Sequence, residues 1–398
     1  MNLILKILKK IIHQVAVFST FPIILFVRLL RPILLVRFGY FTADRIGHFV
    51  FDVGYCLTDC RIRAIPRTRD YFFLKGISSN EYFKTLVKRY LRVSALSRLL
   101  YEMNQMLPGG DIHCIAPARE RVGSRDVHGT LANHPIPLEF DTEDNRRGLE
   151  FLVNAGCDGK KFVCFLVRDS AYLSKVNSQR DWSYHDHRDS DINDFEAAAM
   201  NLARKGYFVF RMGKAVRKPF QVQHPMIMDY ALSEYRSDFL DIWLMANCRF
   251  AVSTGTGIDT VSNLWKKPVV YVNYLPALDY VSFCPNITLF KKLKWAESGE
   301  KLSLTEMLQH SYGAADEYRN SGIDVEDLTP TEIADAVEEM ENRITGVWVG
   351  SSADRQRAVR IWAVFQSAVG FNKFHGWRHP DARLGAKFLQ TNEAWFCK

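Results

Sequence analysis

From residue 146 onward, short runs that are apolar at every position alternate with segments of helical period. The helical segments are 146–155, 191–205, 238–247 and 257–265, and the apolar runs are 161–167, 207–211, 249–252 and 268–272. A strand with one wet face alternates apolar and polar residues; runs such as FVCFLV and PVVYV do not alternate. They predict strands buried on both faces, as in a parallel sheet sandwiched between helices. The 398 residues leave room for a second unit of this kind. It is foreshadowed upstream by the apolar run 32–37, Gly39, a helical stretch 43–57, the run 70–74 and an amphipathic helix opening at Ser79. Residues 107–145, rich in Pro, Gly, His and charge, predict long loops joining two lobes. Two capping boxes, Ser303 to Glu306 and Thr329 to Glu332, begin later helices. The expected organisation is α/β throughout: a helix over 1–28, an N-terminal lobe over 29–145, a C-terminal lobe over 146–350, and aromatic-rich helices over 351–398 packing back on the body.

The net charge is +8, but six of the cations, Lys6, Lys9, Lys10, Arg28, Arg31 and Arg37, precede the first acid, Asp44, which leaves +2 for everything after. No basic stripe follows the body, so nucleic acid is not expected as a partner. The eight cysteines form no CxxC pair and sit mostly in apolar surroundings. They read as thiols of a reducing compartment, neither a disulfide framework nor a zinc site. Residues 11–27 are an uncharged run with cations on both sides, borderline in length for a membrane span and lacking a cleavage site. An in-plane membrane anchor is the reading taken, removable without unfolding the body; a buried core helix and a single span are the other readings.

Several groups could carry chemistry. Ser253, Thr254, Gly255, Thr256 and Gly257 lie between an apolar strand and a helix. Glycines there admit an anion to the backbone, and a helix N-terminus favours it, as a diphosphate would need. A Ser/Thr-capped turn explains the same residues structurally. The loop lacks the lysine of a P-loop. Arg168 and Asp169 end one apolar strand, and Arg211 ends another, followed by Gly213. These arginines could fork onto phosphate oxygens or form structural ion pairs. Tyr184, His185, Asp186, His187, Arg188, Asp189, Ser190 and Asp191 concentrate polar groups before a helix. The D-x-D of Asp189 and Asp191 is read as a helix cap at Ser190 or Asp191, and His185 with His187 lacks a third metal ligand. In the N-lobe, Arg45, Ile46, Gly47 and His48 open the first helix. Gly47 permits close approach, and His48 is suited to accept a proton from a hydroxyl, or is a solvated helix-start histidine.

These segments resemble a family of bacterial glycosyltransferases from surface-polysaccharide loci. The resemblance is carried by RIGH at 45–48, VRDSAYL at 167–173, YHDHRDSDI at 184–192, FRMG at 210–213, SDFLDIWLMANCRFAVSTGTG at 237–257 and KPVVYVN at 267–273. Around them the chain is distantly similar to heptosyltransferases and fucosyltransferases of the GT-B type, which have two Rossmann-like lobes and a cleft between. The resemblance implies a nucleotide-sugar donor on the C-lobe, held by Arg168, Asp169, Arg211, Gly213 and residues 253–257. It implies a glycan or lipid-linked acceptor near Gly47, Tyr184, His185 and Arg188, with His48 and Arg45 as the catalytic pair. In the heptosyltransferases an Arg-x-Gly-Asp segment supplies the proposed base, and here His48 stands at that place. Neither cofactor nor metal is expected. The implied location is cytoplasmic, peripheral on the inner face of the bacterial inner membrane. A sugar-nucleotide epimerase of the same fold and a non-catalytic subunit of a polysaccharide assembly complex are the alternative functions.

Overall fold

The computed structural model describes residues 2–63, 65–169, 171 and 183–397. The chain divides into two compact units, the first made of residues 1–124 and 134–139 and the second of 125–133 and 140–398. Each has its own parallel sheet.

In the first unit, β1 (Leu35–Thr42) runs between β2 (Thr68–Lys75) and β3 (Cys114–Ile115), and both pairings are parallel. Pro32 sits in the turn before β1, which starts three residues later and runs five further than the sequence reading of 32–37. Proline has no N–H for a ladder, so the strand forms beyond it. Helix α3 (Ile46–Arg63) follows β1 and is buried continuously from Phe49 to Thr58. Phe41 stacks on Phe72 with centroids 4.8 Å apart, and Phe49 meets Phe83 edge-on at 4.9 Å. These rings form the core that binds strand layer to helix layer.

Two helices precede β1, α1 (Asn2–Ser19) and α2 (Phe21–Leu29). Val17 and Ile24 are fully buried in one cluster with Val36 and Phe38 of β1 and Met103 of the helix Ala95–Gln105. Polar bonds reinforce this seat. His13 Nε2 lies 2.5 Å from Glu102 Oε2, and the Arg28 guanidinium donates to Asn104 Oδ1 at 2.9 Å and to the Pro108 carbonyl at 2.7 Å. Arg28, one of the cations that flank the uncharged run, is therefore spent within the protein.

The stretch 107–145 contains more order than its composition suggests. The Asp126 carboxylate, 1% exposed, accepts the amides of Thr130, Leu131 and Ala132 at 2.6, 2.8 and 3.0 Å, folding a polar segment around one buried acid. Such closely spaced backbone donors satisfy a carboxylate that could not otherwise leave water.

In the second unit a seven-stranded, wholly parallel sheet has the order β6-β5-β4-β7-β8-β9-β12. The strands are β4 (Phe162–Leu166), β5 (Phe208–Arg211), β6 (Ile227–Met228), β7 (Ala251–Ser253), β8 (Val269–Tyr274), β9 (Asn286–Phe290) and β12 (Ala382–Leu384). Every residue of β4, β5, β7, β8 and β9 is buried. The chain starts in mid-sheet at β4, builds outward to β6, then returns to build the other half from β7. This is the strand order of a doubly wound parallel sheet, and its switch point lies between β4 and β7. A separate antiparallel hairpin pairs β10 (Lys292–Trp295) with β11 (Ile323–Glu326). The capping boxes at Ser303 and Thr329 both form. The 351–398 tail supplies the edge strand β12 in addition to its helices.

Candidate functional site

Ligands of parallel α/β sheets bind beyond the carboxyl ends of the strands, at the switch point. In the second unit that point is occupied by the sequence motifs. Leu166 ends β4 and leads to Val167, Arg168 and Asp169, while Ser253 ends β7 and opens the 253–257 loop. The two loops are stitched together: Thr254 Oγ1 accepts the Arg168 amide at 2.9 Å, and the Thr254 amide donates to the Leu166 carbonyl at 3.1 Å.

Within the loop, Ser253 and Thr254 are buried and Gly257 alone is exposed. Ser253 Oγ donates to Asp259 Oδ2 at 2.8 Å and accepts the amides of Gly255 and Thr256 at 3.0 and 3.3 Å. Those interactions make Ser253 and Thr254 the scaffold of the turn, with their side chains turned into the protein. Gly255 has φ +78°, and a Cβ there would meet the Tyr274 ring at 2.9 Å. Glycine is required by both conformation and crowding. The Arg188 guanidinium closes the loop from outside, donating to the Gly255 carbonyl at 2.8 Å.

Beyond the ends of β4 and β5 is a crevice of about 280 Å³ lined by Val167, Asp169, Asp189, Arg211, Lys218 and Asp327, among others, and by no residue of the 253–257 loop. Its size falls just below the range of small-molecule pockets, about 300–1,000 Å³. Asp169 shapes the wall by accepting the Arg217 amide at 2.7 Å. Arg168 lies 3.4 Å from Asp189 Oδ1, a long contact for an ion pair. Arg211 is 1% exposed, pairs with Asp229 at 3.0 Å and donates to the Lys218 carbonyl at 3.1 Å, while its Nε has no partner among the described residues. Gly213 sits in the turn after β5, where a Cβ would lie 2.5 Å from Val216 Cγ1. Asp191 caps the short helical turn Ile192–Phe195 through the Asn193 amide at 3.1 Å, and Lys218 pairs with it at 2.6 Å. Among the described residues no His/Cys/Asp/Glu cluster is arranged to hold a metal. The side chains of Tyr184 and His185, and Ser170, lie outside the described residues.

Three participants carry little sequence signal. Lys291, 3% exposed, stands 2.6 Å from Asp327 Oδ1 and 2.6 Å from the Asp189 carbonyl, and nothing in the sequence beside it marks a lysine for burial. Asn273, at φ +52°, donates to Ser190 Oγ and Asp327 and accepts the Leu328 amide at 2.7 Å. Asp259 is buried beneath the loop, and burial pushes its carboxyl up to about 7 against the opposing Ser253 bond. A carboxylate six residues after the serine of a strand-end loop is the signal that could have found it.

In the first unit, Arg45 and Gly47 flank the start of α3 beyond the carboxyl end of the central strand β1, with Arg45 exposed. His48 is half-buried, and its Nδ1 lies 2.8 Å from Ser124 Oγ. Burial, then Arg119 and Arg45, hold the imidazole below its usual range, with Asp44 opposing. One turn along α3, Asp52 is buried and accepts the Arg119 amide at 2.8 Å; burial raises it to about 6. A neutral imidazole with one nitrogen engaged can take a proton at the other. A second pocket, about 340 Å³, lies around the amino ends of β1 and β2. Its cations are matched locally, Arg37 by Asp70 at 2.8 Å and both Arg63 and Arg121 by Asp59 at 2.7 and 3.4 Å.

The chain is similar to a glycosyl transferase of family 9 from Veillonella parvula, with 10% identity over 77% of this chain and 97% of that one and a TM-score of 0.47. The similar structures named here are glycosyltransferases. They include the E. coli ADP-heptose LPS heptosyltransferase II, at 13% identity over 61% and 85% of the two chains and a TM-score of 0.35. The E. coli heptosyltransferase WaaC with ADP matches at 14% identity over 64% and 91%, with a TM-score of 0.34. No family model and no curated protein matches the sequence.

Proposed function

We propose that the protein is a glycosyltransferase of the GT-B type that moves a sugar from a nucleotide-sugar donor to a glycan or lipid-linked acceptor in bacterial surface-polysaccharide synthesis. The observation that supports the reading is the switch point of the parallel sheet, where the strand-end loops after β4 and β7 meet through the Thr254 bonds to Arg168 and Leu166, next to a crevice that Val167, Asp169 and Arg211 help to line. A diphosphate there has Arg168 as its side-chain cation, the exposed Gly257 turn as its backbone contact, and the spare Nε of Arg211 behind.

In the transfer, the acceptor oxygen forms a bond to the anomeric carbon and the bond from that carbon to the donor phosphate breaks. The bond's electron pair leaves with the nucleotide diphosphate, whose charge Arg168 offsets. His48 takes the acceptor proton, and its depressed basicity keeps the imidazole unprotonated at neutral pH. This reading assigns no metal or cofactor to the step. A neutral, oriented histidine at a strand's carboxyl end favours catalysis over a non-catalytic subunit. The working place proposed is the cytoplasmic face of the bacterial inner membrane, with peripheral attachment.

A screen of nucleotide sugars tests the reading by following nucleotide diphosphate release with and without lipid-linked acceptor. Release that requires acceptor is expected for one donor. Interconversion of free nucleotide sugars without acceptor would make the protein an epimerase instead.

A further inference from the structure

We infer that the outward faces of α1 and α2 form one membrane-docking surface that lies in the plane of an anionic bilayer without crossing it. This deepens the peripheral location proposed above, but it stands on the helix geometry alone and does not need the transfer reaction. Residues Leu5–Leu29 are long and apolar enough to span, with a mean hydropathy of 1.7. Length therefore does not distinguish a span from an in-plane helix. What the two sides of the helices touch does.

The inner side is committed to the first unit. Val17 and Ile24 are buried against Val36, Phe38 and Met103, and His13 and Arg28 bond Glu102 and Asn104. Crossing a bilayer would carry Glu102, its partner Arg98 and the Arg28-bound carbonyls into hydrocarbon, where such groups are strongly disfavoured. The outer side is apolar. Leu8 stands about 180° around the helix from Val17 at 100° per residue. Leu8, Ile12, Val15 and Phe18 of α1 and Phe26 and Leu29 of α2 are 51–79% exposed. Large apolar side chains exposed singly are ordinary on a soluble protein, whereas a run of them along one pair of helices marks an interaction surface.

Charge selects the occupant. Lys6, Lys9 and Lys10 are exposed on α1, and no acid precedes Asp44. At 100° per residue Lys9 flanks the Leu8 face and Lys6 and Lys10 stand about 160° from it, so a second copy packed on that face gains nothing from them, whereas phosphate-bearing headgroups around an in-plane helix complement a cationic segment without an acid. The apolar side then enters the acyl boundary while the body stays in water.

The test is flotation of the full-length protein with phosphatidylcholine vesicles, with and without 30 mol % phosphatidylglycerol. Wild type should bind the anionic vesicles, and be released by alkaline carbonate. The triple variant Leu8→Glu, Ile12→Glu, Val15→Glu should lose at least tenfold in partition with an unchanged thermal melt, since these side chains touch no core. Lys6→Gln, Lys9→Gln, Lys10→Gln should lose the preference for anionic vesicles. Retention after carbonate would show a span and overturn the inference. So would undiminished binding by the glutamate variant, or a stable dimer that this variant dissociates. Nucleotide binding by the same variants reads the donor site independently, so failure of one reading leaves the other standing.

Discussion

His48 Nδ1 and Ser124 Oγ are 2.8 Å apart although 76 residues separate them in sequence, and Ser124 holds a left-handed φ of +57° to make the contact. A non-glycine residue in that conformation is uncommon. Its hydroxyl fixes the imidazole and leaves Nε2 for chemistry. His48→Ala should lower turnover by roughly 10² or more. Ser124→Ala should lower turnover with little change in KM. Because burial and two arginines depress the imidazole, the acidic limb of kcat/KM should have its midpoint below about 6.5. A limb above that value would assign the proton to another group.

Arg168 and Arg211 should separate cleanly. Arg168→Ala should weaken nucleotide diphosphate binding by about 1–3 kcal/mol in calorimetric titration, as for a charge-assisted bond, with a small change in melting temperature. Arg211→Ala strands Asp229 beside a buried gap, and should cost about 3–5 kcal/mol of stability. Equal loss of stability in the two variants would make Arg168 a structural residue.

Asp259 gives a pH signature. Its folded-state carboxyl is raised to about 7, against about 3.9 in an unfolded chain. Between these values the folded state binds the extra proton, so this group's contribution to stability is greatest below pH 4 and declines as pH rises towards 7. Asp259→Asn should remove that slope in urea denaturation measured from pH 4 to 7, while Asn keeps an acceptor for Ser253. An unaltered slope would refute the assignment.

Deleting residues 1–28 should destabilise the first unit, contrary to a removable anchor. Val17 and Ile24 are buried completely, and burial of each such side chain contributes about 1.5–3 kcal/mol. The point variant Ile24→Ala should lower stability by about 2–5 kcal/mol, read by chemical denaturation. A truncated protein that melts at the wild-type temperature would return the segment to the status of a detachable anchor.

The sheet of the second unit was legible where strands are buried on both faces, because Phe162–Leu166 and Val269–Tyr274 admit no polar alternation. Short strands were not. Ile227–Met228 and Ala382–Leu384 take part through backbone pairing, and two or three residues carry no periodicity. The site motifs were visible as glycines and arginines at strand ends, but not the division of labour among them. Asp259, six residues on, is the sequence hint that Ser253 turns inward, but nothing local marks Gly257 as the exposed member of the same loop. Lys291 and Lys292 show the same limit: their burial is set by Asp327 and Glu332, 36 and 40 residues away. The Ser124 contact depends on a loop geometry that composition alone does not encode.

The division of the chain between units has a consequence for anyone cutting it. Residues 125–133 belong to the second unit, whereas 134–139 return to the first. The backbone therefore passes from one unit to the other three times, and no single peptide-bond cleavage yields two complete fragments. A clip near residue 140 leaves the Asp126 turn covalently attached to the wrong half, and that turn must then find its place as a separate chain would. Fragment complementation across that point, or circular permutation within it, interrogates a braid rather than a hinge.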